Sequence, residues 1–224
     1  MKALMSFLVS LVLVITSLTV KTESKSAASG NYDEKSDSEY SEAVNGGKPY
    51  FKDEEISNTV FLYFEELDDF NRASGAVACL GPELLPERDR TTRASFKPSG
   101  WHQACYDVIP EDYLYNRCHL IAYCLCGDEG SPENLITGTA WLNIEEMLPI
   151  EIEVVRYIER TGNHVMYRVS PAYYGDDLVA YAVLIEALSV EDSGRGICIS
   201  EMLYNVQPGI EINYADGTSR EAEE

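Results

Sequence analysis

Only one stretch of this chain repeats its apolar residues at a helical period. Between Thr139 and Arg160, the residues Leu142, Met147, Ile150, Val154, Val155 and Ile158 recur on one side of a helix, and Thr161-Gly162-Asn163 closes the run. The other apolar segments are Thr59 to Phe64, Tyr113 to Tyr123, His164 to Val169, Leu178 to Val190 and Ile197 to Val206. They are rich in Val, Ile, Tyr and Leu and bounded by Gly, Pro, Asn or Asp, which predicts strands. One long helix among many strands confines the fold to the α+β class, a meandering and mostly antiparallel sheet carrying that helix. Pro149 lacks the amide that would reach the carbonyl of Glu145, so the helix is expected to kink or restart there.

With 224 residues, 45% of them hydrophobic, and no repeat at a fixed period, the chain is expected to form one substantial domain. Residues 1–21 read as an export segment: Lys2 is the positive start, Met5 to Val20 is almost wholly apolar, and Lys21 ends the run. Cleaved, it implies secretion; retained as an anchor, it implies tethering at the extracellular surface, and only then contact with a membrane. Residues 22–48 are rich in Ser, Glu, Asp, Asn and Gly and are expected to be a disordered acidic linker. The domain is expected over 49–214, with an acidic tail over 215–224.

Six cysteines in an exported chain would give a mixture of buried thiols and one or two bridges, with pairing unreadable from sequence. The Cys124-Leu125-Cys126 pair lacks the spacing of a structural zinc site. The net charge of −21 stands against a polyanionic partner, since affinity for nucleic acid comes largely from Lys and Arg displacing counterions. The acids, however, gather in Glu23 to Glu42, Asp53 to Asp69 and the C-terminal tail. Arg88, Arg90, Arg93, Lys97, Arg117, Arg156, Arg160 and Arg168 fall elsewhere, so a basic cleft on an acidic body is compatible with the sequence.

Three segments carry polar groups in apolar surroundings: Tyr115-Asn116-Arg117-Cys118-His119-Leu120-Ile121-Ala122, Asn134-Leu135-Ile136-Thr137-Gly138-Thr139-Ala140-Trp141-Leu142-Asn143, and Met147-Leu148-Pro149-Ile150-Glu151. Cleaving a phosphodiester needs a base for water, a cation for the developing charge and a group to hold the phosphate in line. His119 has the ordinary basicity for the first role, and Arg117 lies two residues before it on the same strand face. Asn143 and Glu151 lie eight residues apart, about two helical turns, and offer the oxygen donors that Mg²⁺ accepts. Taken singly, each has a bland reading: a satisfied strand histidine, a turn or cap for Asn134, a solvated helix face for Glu151.

Taken together, Tyr113-Leu114-Tyr115-Asn116-Arg117-Cys118-His119-Leu120-Ile121, Asn134-Leu135-Ile136-Thr137-Gly138-Thr139, Leu142-Asn143 and Met147-Leu148-Pro149 with Glu151 resemble the DNA/RNA non-specific endonuclease family of the ββα-metal class, particularly its secreted streptococcal DNases and DNA-entry nucleases. Lys97-Pro98-Ser99-Gly100-Trp101, Arg160 to Val169 and Tyr204-Asn205-Val206-Gln207-Pro208-Gly209 extend the likeness over roughly Arg72 to Tyr214. The resemblance implies a ββα-metal fold, a monomer, and hydrolysis of DNA, with RNA left open. It makes His119 the general base, Arg117 a phosphate-positioning group, and Asn143 the direct ligand of Mg²⁺, for which Mn²⁺ would substitute. It makes Glu151 the acid acting on the metal through water, and Asn134 a support of the metal and phosphate geometry. Arg93 and Lys97 are candidate substrate contacts, with plain surface charge as the alternative. Asn116 stands where the family commonly has Asp and Ala140 where it commonly has Arg. The loss of that cation leaves a second reading, an exported nucleic-acid-binding protein on the same scaffold without turnover.

Overall fold

The computed structural model describes residues 39–88, 95–110 and 112–223. The N-terminal segment 1–21 and Arg93 lie outside the described residues. Strands β1 (Ser41–Ala43), β2 (Phe61–Phe64), β3 (Ala76–Leu80), β6 (Val165–Ala172), β7 (Ala182–Ser189) and β8 (Cys198–Tyr204) form a six-stranded sheet in the order β1-β8-β7-β6-β3-β2, and every pairing in it is antiparallel. Two further hairpins stand apart from it, β4 (Tyr115–His119) with β5 (Leu135–Thr139), and β9 (Ile210–Ile212) with β10 (Ser219–Glu221). A short helix α1 (Tyr123–Cys126) follows β4, and the long helix α2 (Leu148–Thr161) follows β5. The α+β expectation holds.

Both expected boundaries shift. Ser41, Glu42 and Ala43 pair with Leu203, Met202 and Glu201 at the sheet edge, so the acidic segment expected as linker up to residue 48 enters the fold. Ser219–Glu221 likewise pairs with β9, so the expected tail contributes a strand. Backbone pairing needs no apolar side chains at an exposed edge, which is why composition hid both strands. β3, Ala-Val-Ala-Cys-Leu, also escaped: four of its five residues are buried between β2 and β6, and a strand buried on both faces shows no alternation.

Two cores clasp the β4–β5 hairpin. On one side Cys118 and Ile136 join the main core, where Ile150, Val154, Tyr157 and Ile158 of α2 meet Val165, Tyr167, Val183 and Ile185 of the sheet. On the other side Tyr115 and Ala140 pack with Ile109, Leu114 and Ile210. Gly138 is required between the strands, because a Cβ there would lie 2.5 Å from Cys118 Cβ. All six cysteines are free thiols, which replaces the expected mixture that included bridges. Burial first of all pushes the Cys79 thiol up to about 11 and that of Cys126 to about 12, as expected of inert core sulfurs. Among the described residues, no helix is long and apolar enough to cross a membrane.

Candidate active site

The turn from β5 into the helix is built from polar side chains. Thr139 Oγ1 accepts the amide of Leu142 at 2.9 Å and donates to the carbonyl of Val206 at 2.6 Å, acting as the cap for the first turn. Asn205, fully buried, donates to the carbonyls of Thr137 and Ala180 and accepts the amide of Thr139, while Gln207 accepts the amide of Trp141. After Ala140 and Trp141, which are already helical, Leu142–Met147 form a π-helix that passes directly into α2 with Pro149 in its first turn. The wider turn meets the demand Pro149 makes by lacking an amide donor. It also turns the chain less per residue. In a straight α-helix eight residues overshoot two turns by about 80°, so the π turn brings Asn143 and Glu151 nearer to one side than the expected helix would.

The hairpin meets this helix at its midpoint. Cys118 Sγ lies 3.3 Å from Met147 Sδ, and Met147 stands four residues from both Asn143 and Glu151. The strand that carries His119 is therefore pinned to the stretch between the two candidate metal residues. Asn143 is half-buried in the π turn, whereas Glu151 is only 7% exposed. Burial pushes the Glu151 carboxyl up to about 8 from its ordinary 4.5. A buried carboxylate is costly when ionised unless a cation faces it. Among the described residues no group of three or more His, Cys, Asp and Glu could hold an ion. One amide oxygen and one buried carboxylate fit a hard cation that keeps most of its water, as magnesium does.

Arg117 is held from two sides. Its Nε donates to the Phe96 carbonyl at 2.5 Å, and its guanidinium lies 4.6 Å over the Trp101 ring. The segment supplying these contacts is itself fixed, because Thr137 Oγ1 donates to the Ser99 carbonyl at 2.8 Å and Ser99 Oγ to that of Leu178 at 2.7 Å. Lys97 sits exposed on the same segment. His119 ends β4 opposite Leu135 and is 8% exposed.

Asn134 is expected to support the metal and phosphate geometry, and its bonds go to Ile121 and Asp128. It is fully buried, with Nδ2 donating to the Ile121 carbonyl at 3.0 Å and to Asp128 Oδ2 at 3.1 Å, and Oδ1 accepting the Ile121 amide at 2.9 Å. An amide so engaged and so deep cannot touch metal or phosphate; it fixes the backbone two residues beyond His119. Asp128, which the sequence reading missed, completes this clamp by accepting Ser131 Oγ at 2.5 Å and the amides of Gly130 and Ser131. Burial works to raise the Asp128 carboxyl, but the bonds from Ser131 and Asn134, with the charge of His119, hold it below its ordinary value. Its signal was local, an Asp three residues before Ser131 in an Asp-Glu-Gly-Ser-Pro turn. Asp128 and Glu151 both act on the Cys126 thiol, so the carboxylates and His119 share one neighbourhood.

Three expected cations are elsewhere. Arg168 is spent on Glu186 at 2.7 Å and on the Tyr50 carbonyl, and lies over the Phe51 ring. Arg156 and Arg160 line a groove on another face of α2.

Residues 53–190 match the family described as DNA/RNA non-specific endonuclease. A deoxyribonuclease of Streptococcus dysgalactiae subsp. equisimilis is 34% identical over 110 residues, 47% of this chain and 32% of the relative, so the chain spans about a third of that protein's length. NucA from Streptococcus agalactiae, solved with a magnesium ion bound, superposes with a TM-score of 0.69 at 27% identity, over 80% of this chain and 87% of the other. The Sda1 nuclease, solved with a zinc ion, shares the fold at a TM-score of 0.68 and 23% identity, over 82% of this chain and 97% of the other.

Proposed function

The chain belongs to the DNA/RNA non-specific endonuclease family, and on that premise we propose that it is a Mg²⁺-dependent hydrolase cutting the phosphodiester backbone of DNA with little regard to sequence. The observation that carries this reading is the join of Cys118 to Met147, which sets His119 and Arg117 on β4 against the helix bearing Asn143 and Glu151. The relative with a bound magnesium ion supports the choice of cation.

His119 takes the proton of the attacking water; its place at the end of a strand clamped by Asn134 and Asp128 fixes the ring's backbone. Arg117, with Nε already bonded to Phe96 and its plane on Trp101, has its terminal N–H groups left for a phosphate oxygen. Asn143 would hold the cation directly and Glu151 would hold it through water, and when bound it neutralises charge developing on the phosphate and leaving oxygen. Lys97, and Arg93 outside the described residues, would add contacts to flanking phosphates. Contacts to the backbone carry no sequence information, hence the indifference to sequence. The family description covers RNA as well as DNA, which makes RNA the second substrate to test. The export segment at residues 1–21 places the protein outside the cell, and tethers it there if retained.

The test is digestion of supercoiled plasmid and of a structured RNA with Mg²⁺, with Mn²⁺, with EDTA, and with the His119→Ala variant. Cleavage in either cation that both EDTA and the substitution abolish supports the reading. DNA binding without product in any condition would replace it with a binding protein on a nuclease scaffold.

A further inference from the structure

A groove with a cavity of about 370 Å³ runs between α2 and the turn joining β7 to β8. It is lined by Pro149, Glu153, Arg156, Tyr157, Arg160 and Gly196 with Ile197. Glu151, Val154 and Ile158 are buried on the core side of the same helix, while Glu153, Arg156 and Arg160 are exposed. The groove thus lies on the helix face turned away from Glu151.

Its floor is rigid. Gly196 approaches the Tyr157 ring so closely that a Cβ there would stand 2.2 Å from Cε2, so a glycine is what keeps the turn against the ring. Tyr157 is held in place by its hydroxyl, which donates to Asp192 Oδ2 at 3.0 Å and accepts from Asn163 Nδ2 at 3.0 Å. Asp192 is itself engaged by Ser189 Oγ and the Arg195 amide. The acid left facing the groove is Glu153, against Arg156 and Arg160.

Those arginines are conspicuous in a chain of net charge −21. The arginines in ion pairs among the described residues are Arg72, Arg168 and Arg220; Arg156 and Arg160 are not among them. They stand one helical turn apart, a rise of about 6 Å, and point into one groove. The helix dipole accounts for a cation in the last turn, where Arg160 is, but not for Arg156 a turn earlier.

We propose that this groove is a second phosphodiester-binding site, which holds the backbone of a nucleic acid away from the bond being cut. The inference rests on the proposed nuclease activity and adds to it a surface outside the catalytic face. A protein so acidic overall needs local cations to retain a polyanion, and two such contacts raise residence on long substrates without touching the chemistry.

The test is the Arg156→Gln/Arg160→Gln double variant, whose substitutions are exposed and helix-compatible, checked for unchanged thermal unfolding. Affinity for a labelled duplex is measured against salt in the His119→Ala background, so the result does not depend on cleavage. Losing two phosphate contacts lowers the salt slope by about 1.8, so that between about 50 and 200 mM salt the double variant loses roughly ten-fold less affinity than its parent. With His119 restored, KM for plasmid rises while kcat/KM for bis(p-nitrophenyl) phosphate, which needs the catalytic site alone, stays the same. An unchanged slope and an unchanged plasmid KM overturn the proposal. So does a variant that loses binding of inorganic phosphate but keeps its affinity for duplex, since that assigns the groove to a free anion. Absence of cleavage by the parent on every substrate would instead overturn the nuclease reading and leave the binding measurement standing.

Discussion

Replacing Glu151 by glutamine should make the metal-free protein more stable, and more so the higher the pH. Burial lifts the folded-state value of this carboxyl to about 8 from an ordinary 4.5. Because the folded value is the raised one, the stability this group contributes is fully present below about pH 4.5 and is lost as pH rises through about 8. At pH 7 the unfolded chain has already released the proton that the folded chain keeps, and each unit between 4.5 and 7 costs about 1.4 kcal/mol, roughly 3 kcal/mol in all. Glutamine has the same shape and no proton to lose. The difference between the two proteins should grow from near its baseline at pH 4.5 to about 3 kcal/mol at pH 7, or roughly 6–12 °C in Tm for a domain of this size. Thermal unfolding in EDTA from pH 4.5 to 8.5 measures it, and taking the difference cancels every group the two share. Magnesium should then reverse the order, since a ligand that binds only the folded state stabilises it and the glutamine variant binds it more weakly. A difference that stays flat with pH would refute the buried-carboxylate account of Glu151.

Three other outcomes follow from the geometry. His119→Ala should lower kcat on plasmid by about 10²- to 10⁴-fold while equilibrium DNA binding persists, read from initial rates and a filter-binding isotherm. Asn134→Ala removes the only side-chain partner of the buried Ile121 amide and leaves its carbonyl just the weak thiol donor Cys126 Sγ at 3.6 Å, and should cost about 2–4 kcal/mol in chemical denaturation. Gly138→Ala drives a methyl to within 2.5 Å of Cys118 Cβ and should cost about 1–3 kcal/mol by the same measurement, with activity falling as β4 separates from β5.

The long helix, its closing turn at Gly162 and five of the strands could be read directly, because amphipathic period and turn residues are local signals. What escaped was set by tertiary context. β3 is apolar on both faces and β5 is buried throughout, while β1, β9 and β10 are three-residue strands held by backbone pairing and by side-chain bonds such as Glu42 with Tyr204 and Ser219 with Tyr106. In the site, residue types announced His119, Arg117, Asn143 and Glu151. For Asn134 the sequence left a turn or cap and a support of the metal and phosphate geometry side by side, and only its bonds show that it acts on the backbone at Ile121. Arg168 likewise counted toward a basic cleft until Glu186 was seen to neutralise it.

A crystal structure of the His119→Ala variant with Mg²⁺ and a short DNA duplex would test the central claim most directly. The account predicts one phosphate lying between a cation on Asn143 and the space vacated by the imidazole, with Arg117 on a phosphate oxygen and Glu151 reaching the cation through water. A cation bound away from Asn143, or a duplex whose phosphates do not approach the end of β4, would contradict it.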